Sequence, residues 1–342
     1  MSHHQGHELE ATARALVAPG KGILAADESS GTIKKRFDSI RVESTEQNRR
    51  DYREMLFTTP GCEQYISGVI LFDETIRQNA SDGTPLAKVL EKRGIIPGIK
   101  VDKGTQKLPF SDDEKITEGL DGLRQRIVEY RGLGARFAKW RAVIEIAAGK
   151  PSDACLRANA DALARYAALC VEEGLVPIVE PEILMDGDHS IERSEAVTER
   201  TLHFVFDALF DHRVPLEQIL LKPNMVLSGY AAKQQASVRE VAERTIRCFK
   251  RVVPAAVPGI VFLSGGQSDE LATAHLNEMN RISGFPWEMS FSYGRALQAP
   301  ALKAWGGKKE NFDAGQQAFL KRARLNGEAR YGRYTEAMEK AA

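Results

Sequence analysis

The 342-residue chain reads as an α/β protein, a closed barrel of eight parallel strands, each followed by a helix. Three observations predict this. Eight short apolar runs recur along the chain, separated by longer stretches of helical periodicity. No linker rich in Pro, Gly or Ser and no shift of composition splits the series, so the repeats belong to one sheet. An open doubly wound sheet would be expected to carry a G-x-G-x-x-G turn, and none follows any of the runs.

The strand candidates, in order, are Gly22–Ala26, Gly68–Phe72, Gly98–Val101, Phe137–Val143, Val176–Glu182, Ile219–Lys222, Gly259–Ser264 and Glu288–Tyr293. Between them, Ala154–Val171 places Leu156, Ala160, Leu163, Ala167 and Val171 at steps of three and four residues, which marks one buried helix face. Glu195–Leu209 and Val238–Val252 alternate apolar and charged residues at the same period. Segments 40–65 and 103–118 are polar inserts to which the pattern assigns no structure. The expectation is a single domain over 1–342, with a flexible N-terminal tail (about 1–10) and a short C-terminal tail (about 332–342).

Composition narrows the function. Lys+Arg and Asp+Glu stand at 47 each, so no global field gathers nucleic acid or an anionic membrane, and an anionic partner must be met by a local cluster. Cys62, Cys155, Cys170 and Cys248 are scattered without a C-x-x-C pair and read as reduced, buried thiols of a cytoplasmic protein. No apolar run reaches membrane-spanning length, and the start MSHHQGHELE is no basic-then-apolar leader. His3, His4 and His7 read as a solvated group. The remaining histidines form no ligand set, so no metal and no cofactor is expected.

The most informative residue is Lys222, in Ile219-Leu220-Leu221-Lys222-Pro223-Asn224-Met225. An ammonium at the end of an apolar strand loses hydration, which lowers its pKa and frees the amine as a nucleophile. Pro223 holds the preceding residue extended. The plainer alternative is a lysine whose stem packs while its head reaches water.

Charges collect where a barrel places its active site, late in the strands. Asp27 follows the first run. Lys100 and Asp102 follow at the third, Lys139 and Arg141 at the fourth, Glu180 and Glu182 at the fifth, and Lys222 at the sixth. Each pair is two residues apart and therefore on one strand face. Facing outward they would be buried under helices, so the polar mouth of the barrel is their place. Mutual neutralisation inside the barrel is the alternative for any single pair, but buried ionic networks add little stability, and five strands share the pattern. On the opposite side, Ser264-Gly265-Gly266-Gln267-Ser268 leads from the seventh strand into a helix, and Ser292-Tyr293-Gly294-Arg295 follows the eighth. Bare backbone N–H groups, a helix N-terminus and an arginine suit a phosphate.

These residues lie in blocks that together resemble the class I, Schiff-base fructose-bisphosphate aldolases. The blocks are GKGILAADES (20–29), GVILF (68–72), GIKVDKG (98–104), FAKWR (137–141), VPIVEPEIL (176–184), DGDH (186–189), LLKPNM (220–225), FLSGGQS (262–268), FSYGRALQ (291–298) and ALKAWGGK (301–308). The resemblance runs from about residue 12 to residue 335 and implies the single-domain TIM barrel. It implies Lys222 as the Schiff-base lysine, Lys139 as a second active-site cation and Glu180 as the proton-transfer group tuned by Glu182. It also implies Asp27 as the carboxylate that handles the C4 hydroxyl, with Lys100 beside it. Ser264, Gly265, Gly266, Ser292 and Arg295 would hold the C1 phosphate, Arg36 and Arg141 would reach the C6-phosphate end, and Thr32 and Gly294 would belong to the substrate- and phosphate-binding set. Many relatives have serine where Thr32 stands, and the hydroxyl is retained. The role of the family's C-terminal tyrosine is not carried over to Tyr331-Gly-Arg-Tyr334-Thr-Glu-Ala-Met-Glu-Lys-Ala-Ala342, which does not match that part of the family pattern.

The implied activity is reversible, metal-independent cleavage of fructose 1,6-bisphosphate in glycolysis and gluconeogenesis, by a cytoplasmic homotetramer whose partners are sugar phosphates. The alternatives are a Schiff-base aldolase of another phosphorylated substrate, or a non-catalytic sugar-phosphate-binding or scaffold protein on the same fold.

Overall fold

The computed structural model describes residues 3–341. Its eight parallel barrel strands are β1 (Gly22–Ala26), β2 (Ile66–Leu71), β3 (Ile96–Lys100), β4 (Phe137–Ile144), β5 (Val176–Ile183), β6 (Leu220–Leu221), β7 (Gly259–Phe262) and β8 (Glu288–Tyr293). Each pairs with its neighbours in chain order, and β8 pairs with β1 to close the ring. The eight expected runs are these strands, displaced by a residue or two at their ends. Strand β6 is shorter than Ile219–Lys222 because Pro223 has no N–H to continue the ladder. Pairing still reaches the lysine, whose N–H donates to Val179 O at 2.8 Å.

Phenylalanines and glycines fill the barrel floor together. A Cβ at Gly98 would run into the Phe137 ring, and one at Gly22 into the Phe291 ring. Both rings are fully buried, and the missing side chains make room for them.

The helix periods also hold. Ala154–Val171 lies within the helix Asp153–Glu172, Glu195–Leu209 within Ile191–Asp211, and Val238–Val252 is a helix over those residues. Insert 40–65 contains the helix Glu46–Phe57, started by Thr45, whose side chain accepts from Asn48 N, and anchored by buried Tyr52, Met55, Leu56 and Phe57. Insert 103–118 is an antiparallel hairpin of Thr105–Lys107 with Lys115–Thr117.

The expectation of a flexible N-terminal tail is corrected. From His3 the chain is a helix to Leu16, and Leu9, Ala13 and Leu16 are buried on its inner face. The spacing of four and three residues carries the helical signal. The helix reaches the barrel floor, where Ser67 Oγ donates to Leu16 O and a Cβ at Gly68 would strike Leu16. At the other end, the mostly exposed segment 332–341 is held at particular points. Tyr334 is buried, and Arg322 donates from Nη1 to both carboxylate oxygens of Glu339 at 2.7 Å. The four cysteines are buried and free. Among the described residues no helix is long and apolar enough to cross a membrane.

Candidate active site

The strand register assembles the site. On β4, Phe137, Lys139 and Arg141 alternate onto one face, so the ring in the floor is followed upward by a lysine and then an arginine. Lys100 is paired with Lys139 across β3 and β4, and Arg141 with Glu180 across β4 and β5. Lys222 comes directly off β6 and Asp27 directly off β1. The fifteen residues to which the resemblance gives a site role line one open cleft of about 820 Å³ at the carboxyl ends of the strands, and Asp102, expected beside them, does not line it.

At its base four ionisable groups are in contact. Lys139 Nζ lies 2.8 Å from Asp27 Oδ2 and 3.4 Å from Glu180 Oε2, and Lys222 Nζ lies 3.7 Å from Glu180 Oε1. Glu180 therefore stands between the two lysines. Its Oε2 is buried and accepts no hydrogen bond among the described residues. Burial pushes the Lys222 pKa down. Glu180 and Asp27 oppose that, Lys139 adds to it, and the outcome is a lowered value. For Lys139 burial would act the same way, but Asp27, Glu180 and Asp102 outweigh it and hold the ammonium well above the usual lysine range. The same field acts on Asp27: burial alone would raise its pKa, yet Lys139, Lys222 and Lys100 keep the carboxyl far below the usual range. Two lysines in one pocket are thus driven in opposite directions, one toward the free amine and one toward a permanent cation.

Around this base, Lys100 Nζ lies 3.6 Å from Asp102 Oδ1, and Arg141 Nε pairs with Glu182 Oε2. Glu182 is thereby bound to a cation of its own rather than set directly against Glu180. Asp102 also accepts from Arg141 N at 3.2 Å and from Gly104 N at 3.1 Å, which fixes the exit from β3.

Two walls rise above the base. The helix Ser30–Ser39 begins at Ser29, which caps it and shares a 3.1 Å hydroxyl contact with Thr32. Arg36, one turn on, donates to Glu28 at 2.8 Å. The Ser264-Gly265-Gly266 turn leaves β7, which only β8 separates from β1 in the ring, with both glycines in the left-handed region, at φ 58° and 86°. It precedes the helix Asp269–Ile282, capped by Ser268. Ser292 is buried with an unpartnered Oγ among the described residues, and Arg295 Nη2 reaches Gln267 O at 3.4 Å.

Several cleft residues carried too little signal to be singled out. Lys35 and Ser39 follow Thr32 at helical steps of three and four, so recognising the helix Ser30–Ser39 could have found them. Glu28 is the carboxylate next to Asp27, and Asp186 lies in the DGDH block. Tyr230 had no periodic or charge signal at all. Among the described residues, no group of three or more His, Cys, Asp and Glu is placed to hold a metal ion.

The model of the family described as fructose-bisphosphate aldolase class-I matches residues 8–342. A probable fructose-bisphosphate aldolase class 1 of Xanthomonas campestris is 59% identical over 328 residues, 96% of this chain and 98% of that protein. Fructose-bisphosphate aldolase 1 of Toxoplasma gondii is 57% identical over 336 residues, covering 98% and 93%. Among solved structures, fructose-bisphosphate aldolase from Plasmodium falciparum, crystallised with TRAP and a small-molecule inhibitor, superposes with a TM-score of 0.97. That pair shares 51% identity over 98% of this chain and 97% of the other. With the family matched from end to end and the fold coincident, this chain belongs to the class I fructose-bisphosphate aldolases.

Proposed function

We propose that the chain cleaves fructose 1,6-bisphosphate reversibly into dihydroxyacetone phosphate and glyceraldehyde 3-phosphate, through an iminium formed on Lys222. The observation that carries this is the opposed pair of lysines: a buried amine with a lowered pKa, 3.7 Å from the carboxylate of Glu180 and beside a cation that stays charged.

The chemistry follows from that arrangement. The neutral Lys222 amine attacks the C2 ketone and forms a carbinolamine. Glu180, in reach of Nζ, moves a proton from the carbinolamine nitrogen to its oxygen, and with one further proton taken up from solvent the C2 hydroxyl leaves as water. The resulting iminium draws the electron pair of the C3–C4 bond as it breaks, giving an enamine on Lys222 and an aldehyde at C4. Asp27, held ionised, takes the hydrogen bond and then the proton of the C4 hydroxyl. Lys139 compensates whichever of its two carboxylate neighbours is charged at each stage. Protonation of the enamine at C3 and hydrolysis of the iminium release dihydroxyacetone phosphate and restore the amine.

The two walls suit a substrate with a phosphate at each end. Ser264, Gly265, Gly266, Ser292, Gly294 and Arg295 form the C1-phosphate wall; Thr32, Arg36 and Arg141 form the C6 side. A monophosphate or keto-acid substrate would leave one wall unused, and a non-catalytic scaffold has no need of the strained charge set around Lys222. Action in the cytoplasm and a homotetrameric assembly belong to the same proposal and rest on the family likeness.

Borohydride reduction in the presence of dihydroxyacetone phosphate, followed by peptide mapping, tests the reading. The expected result is a three-carbon adduct on Lys222 and none in Lys222→Arg, whose guanidinium stays protonated and cannot condense. An adduct on Lys139, or no adduct, overturns it.

A further inference from the structure

Tyr230 belongs to none of the roles above, although it lines the cleft and its ring stands over the glycine turn after β7. Its backbone is firmly placed. Tyr230 N donates to Met185 O at 2.9 Å, with Gly229 N to His189 O and Ala231 N to Gly187 O at 2.8 Å on either side. A Cβ at Gly229 would collide with the Gly187 carbonyl, so only glycine lets the segments after β5 and β6 close this tightly. From this support the Tyr230 hydroxyl donates to Gly265 O. Arg295 borders the same turn: a Cβ at Gly266 would stand 3.5 Å from Tyr230 Cε2 and 3.6 Å from Arg295 Nη2.

We propose that Tyr230 is a positioning residue for the C1 phosphate, its hydroxyl holding the Gly265–Gly266 peptide so that the Gly266 N–H faces the anion and the Gly265 carbonyl does not. The inference rests on the phosphate role proposed above for this turn. Two adjacent glycines in the left-handed region leave the peptide between them free to rotate, and one orientation presents a carbonyl oxygen to the phosphate. A trans peptide sets its N–H opposite its C=O, so tying the carbonyl to the tyrosine points the N–H away from the phenol. Burial, with Asp186 and Glu182 nearby, pushes the phenol up to about 12, so the hydroxyl remains a donor across the working pH range.

Tyr230→Phe removes the one oxygen and keeps the ring. The measurement is the concentration of dihydroxyacetone phosphate, and separately of unphosphorylated dihydroxyacetone, that half-saturates borohydride trapping, for wild type, Tyr230→Phe and Arg295→Ala. The proposal expects Tyr230→Phe to raise the half-saturating concentration about three- to tenfold, the size of one hydrogen bond, for the phosphorylated ketone only. It also expects the trapping rate at saturation to be retained. An unchanged value, or an equal rise for both ketones, overturns it. Arg295→Ala separates the two levels of the argument. If it selectively weakens the phosphorylated ketone while Tyr230→Phe does not, the phosphate wall stands and the Tyr230 role falls. If neither variant discriminates, both fall.

Discussion

Replacing Lys139 by methionine tests the electrostatic logic of the site most directly. The side chain keeps its length and loses its charge, leaving Asp27 and Glu180 without the ammonium now 2.8 Å and 3.4 Å away. At an effective dielectric of about 20 those contacts amount to roughly 6 and 5 kcal/mol of gross attraction. Most of that offsets the cost of burying the ions, and removing one partner of such a cluster destabilises by about 3–5 kcal/mol. The kinetic effect has a definite sign. Lys139 is one of the groups that push the Lys222 pKa down, while Glu180 and Asp27 pull it up. Without Lys139 the two carboxylates act on Lys222 alone, its pKa rises, and less amine is free at neutral pH. Trapping by borohydride should therefore move its pH dependence to higher pH, and kcat for cleavage should fall by about a hundredfold or more as the proton-transfer groups lose their partner. The assay is the rate of trapping with dihydroxyacetone phosphate between pH 6 and 10, alongside thermal unfolding to establish that the variant is folded. Lys139→Arg, which retains the charge, should keep the wild-type pH dependence. A folded Lys139→Met protein with unshifted trapping, or one shifted to lower pH, would refute the reasoning.

Ending the chain after Glu336 removes Glu339 and leaves the buried Arg322 guanidinium with only Asp269 O and Thr273 Oγ1 as acceptors. A loss of about 2–4 kcal/mol is expected, a drop in Tm on the order of 5 °C, with kcat/KM for cleavage retained; a large kcat loss in this variant would show that the terminal residues act in catalysis. His275, buried with Nδ1 2.6 Å from Gln267 Oε1, has its pKa pushed down to about 4 by burial. The unfolded chain takes up this proton below about 6.5 and the folded chain does not, so stability falls as pH drops from 6.5 toward 4, by about 3 kcal/mol at 1.36 kcal/mol per unit. His275→Gln should unfold with a visibly flatter pH dependence in that window, and an unchanged slope would contradict the assignment. Exhaustive EDTA treatment should leave cleavage intact; activity lost to EDTA and restored by Zn²⁺ would overturn the metal-independent mechanism.

The charged face of the barrel was legible because its pattern is written locally. A charge at the end of an apolar run can be seen without knowing its partners, and a spacing of two guarantees a shared face, as with Lys139 and Arg141. What escaped was less local. The helix Glu46–Phe57 is rich in charge, and its apolar residues cluster in the last turn, so only burial against the rest of the protein reveals it as an anchor. The first helix reads as a tail in the sequence because polar residues dominate its start, while its Leu9, Ala13 and Leu16 stripe has meaning only beneath a barrel floor open to receive it. Tyr230 is a lone aromatic in a turn and gains its place from a backbone contact 35 residues away.

Residue type and spacing alone set the eightfold strand–helix alternation, the lysine on β6 and the ring of charges at one end of the barrel. Each depends on residue type and spacing within a few positions. Which charges meet depends on how the strands pair. The strand register put Glu180 between Lys139 and Lys222, gave Glu182 to Arg141, and brought Asp27 from the first strand against Lys139 on the fourth. The opposite shifts of the two lysines arise there, because a pKa depends on burial and on charges a few ångströms away, and neither quantity is a property of the neighbouring letters in the chain.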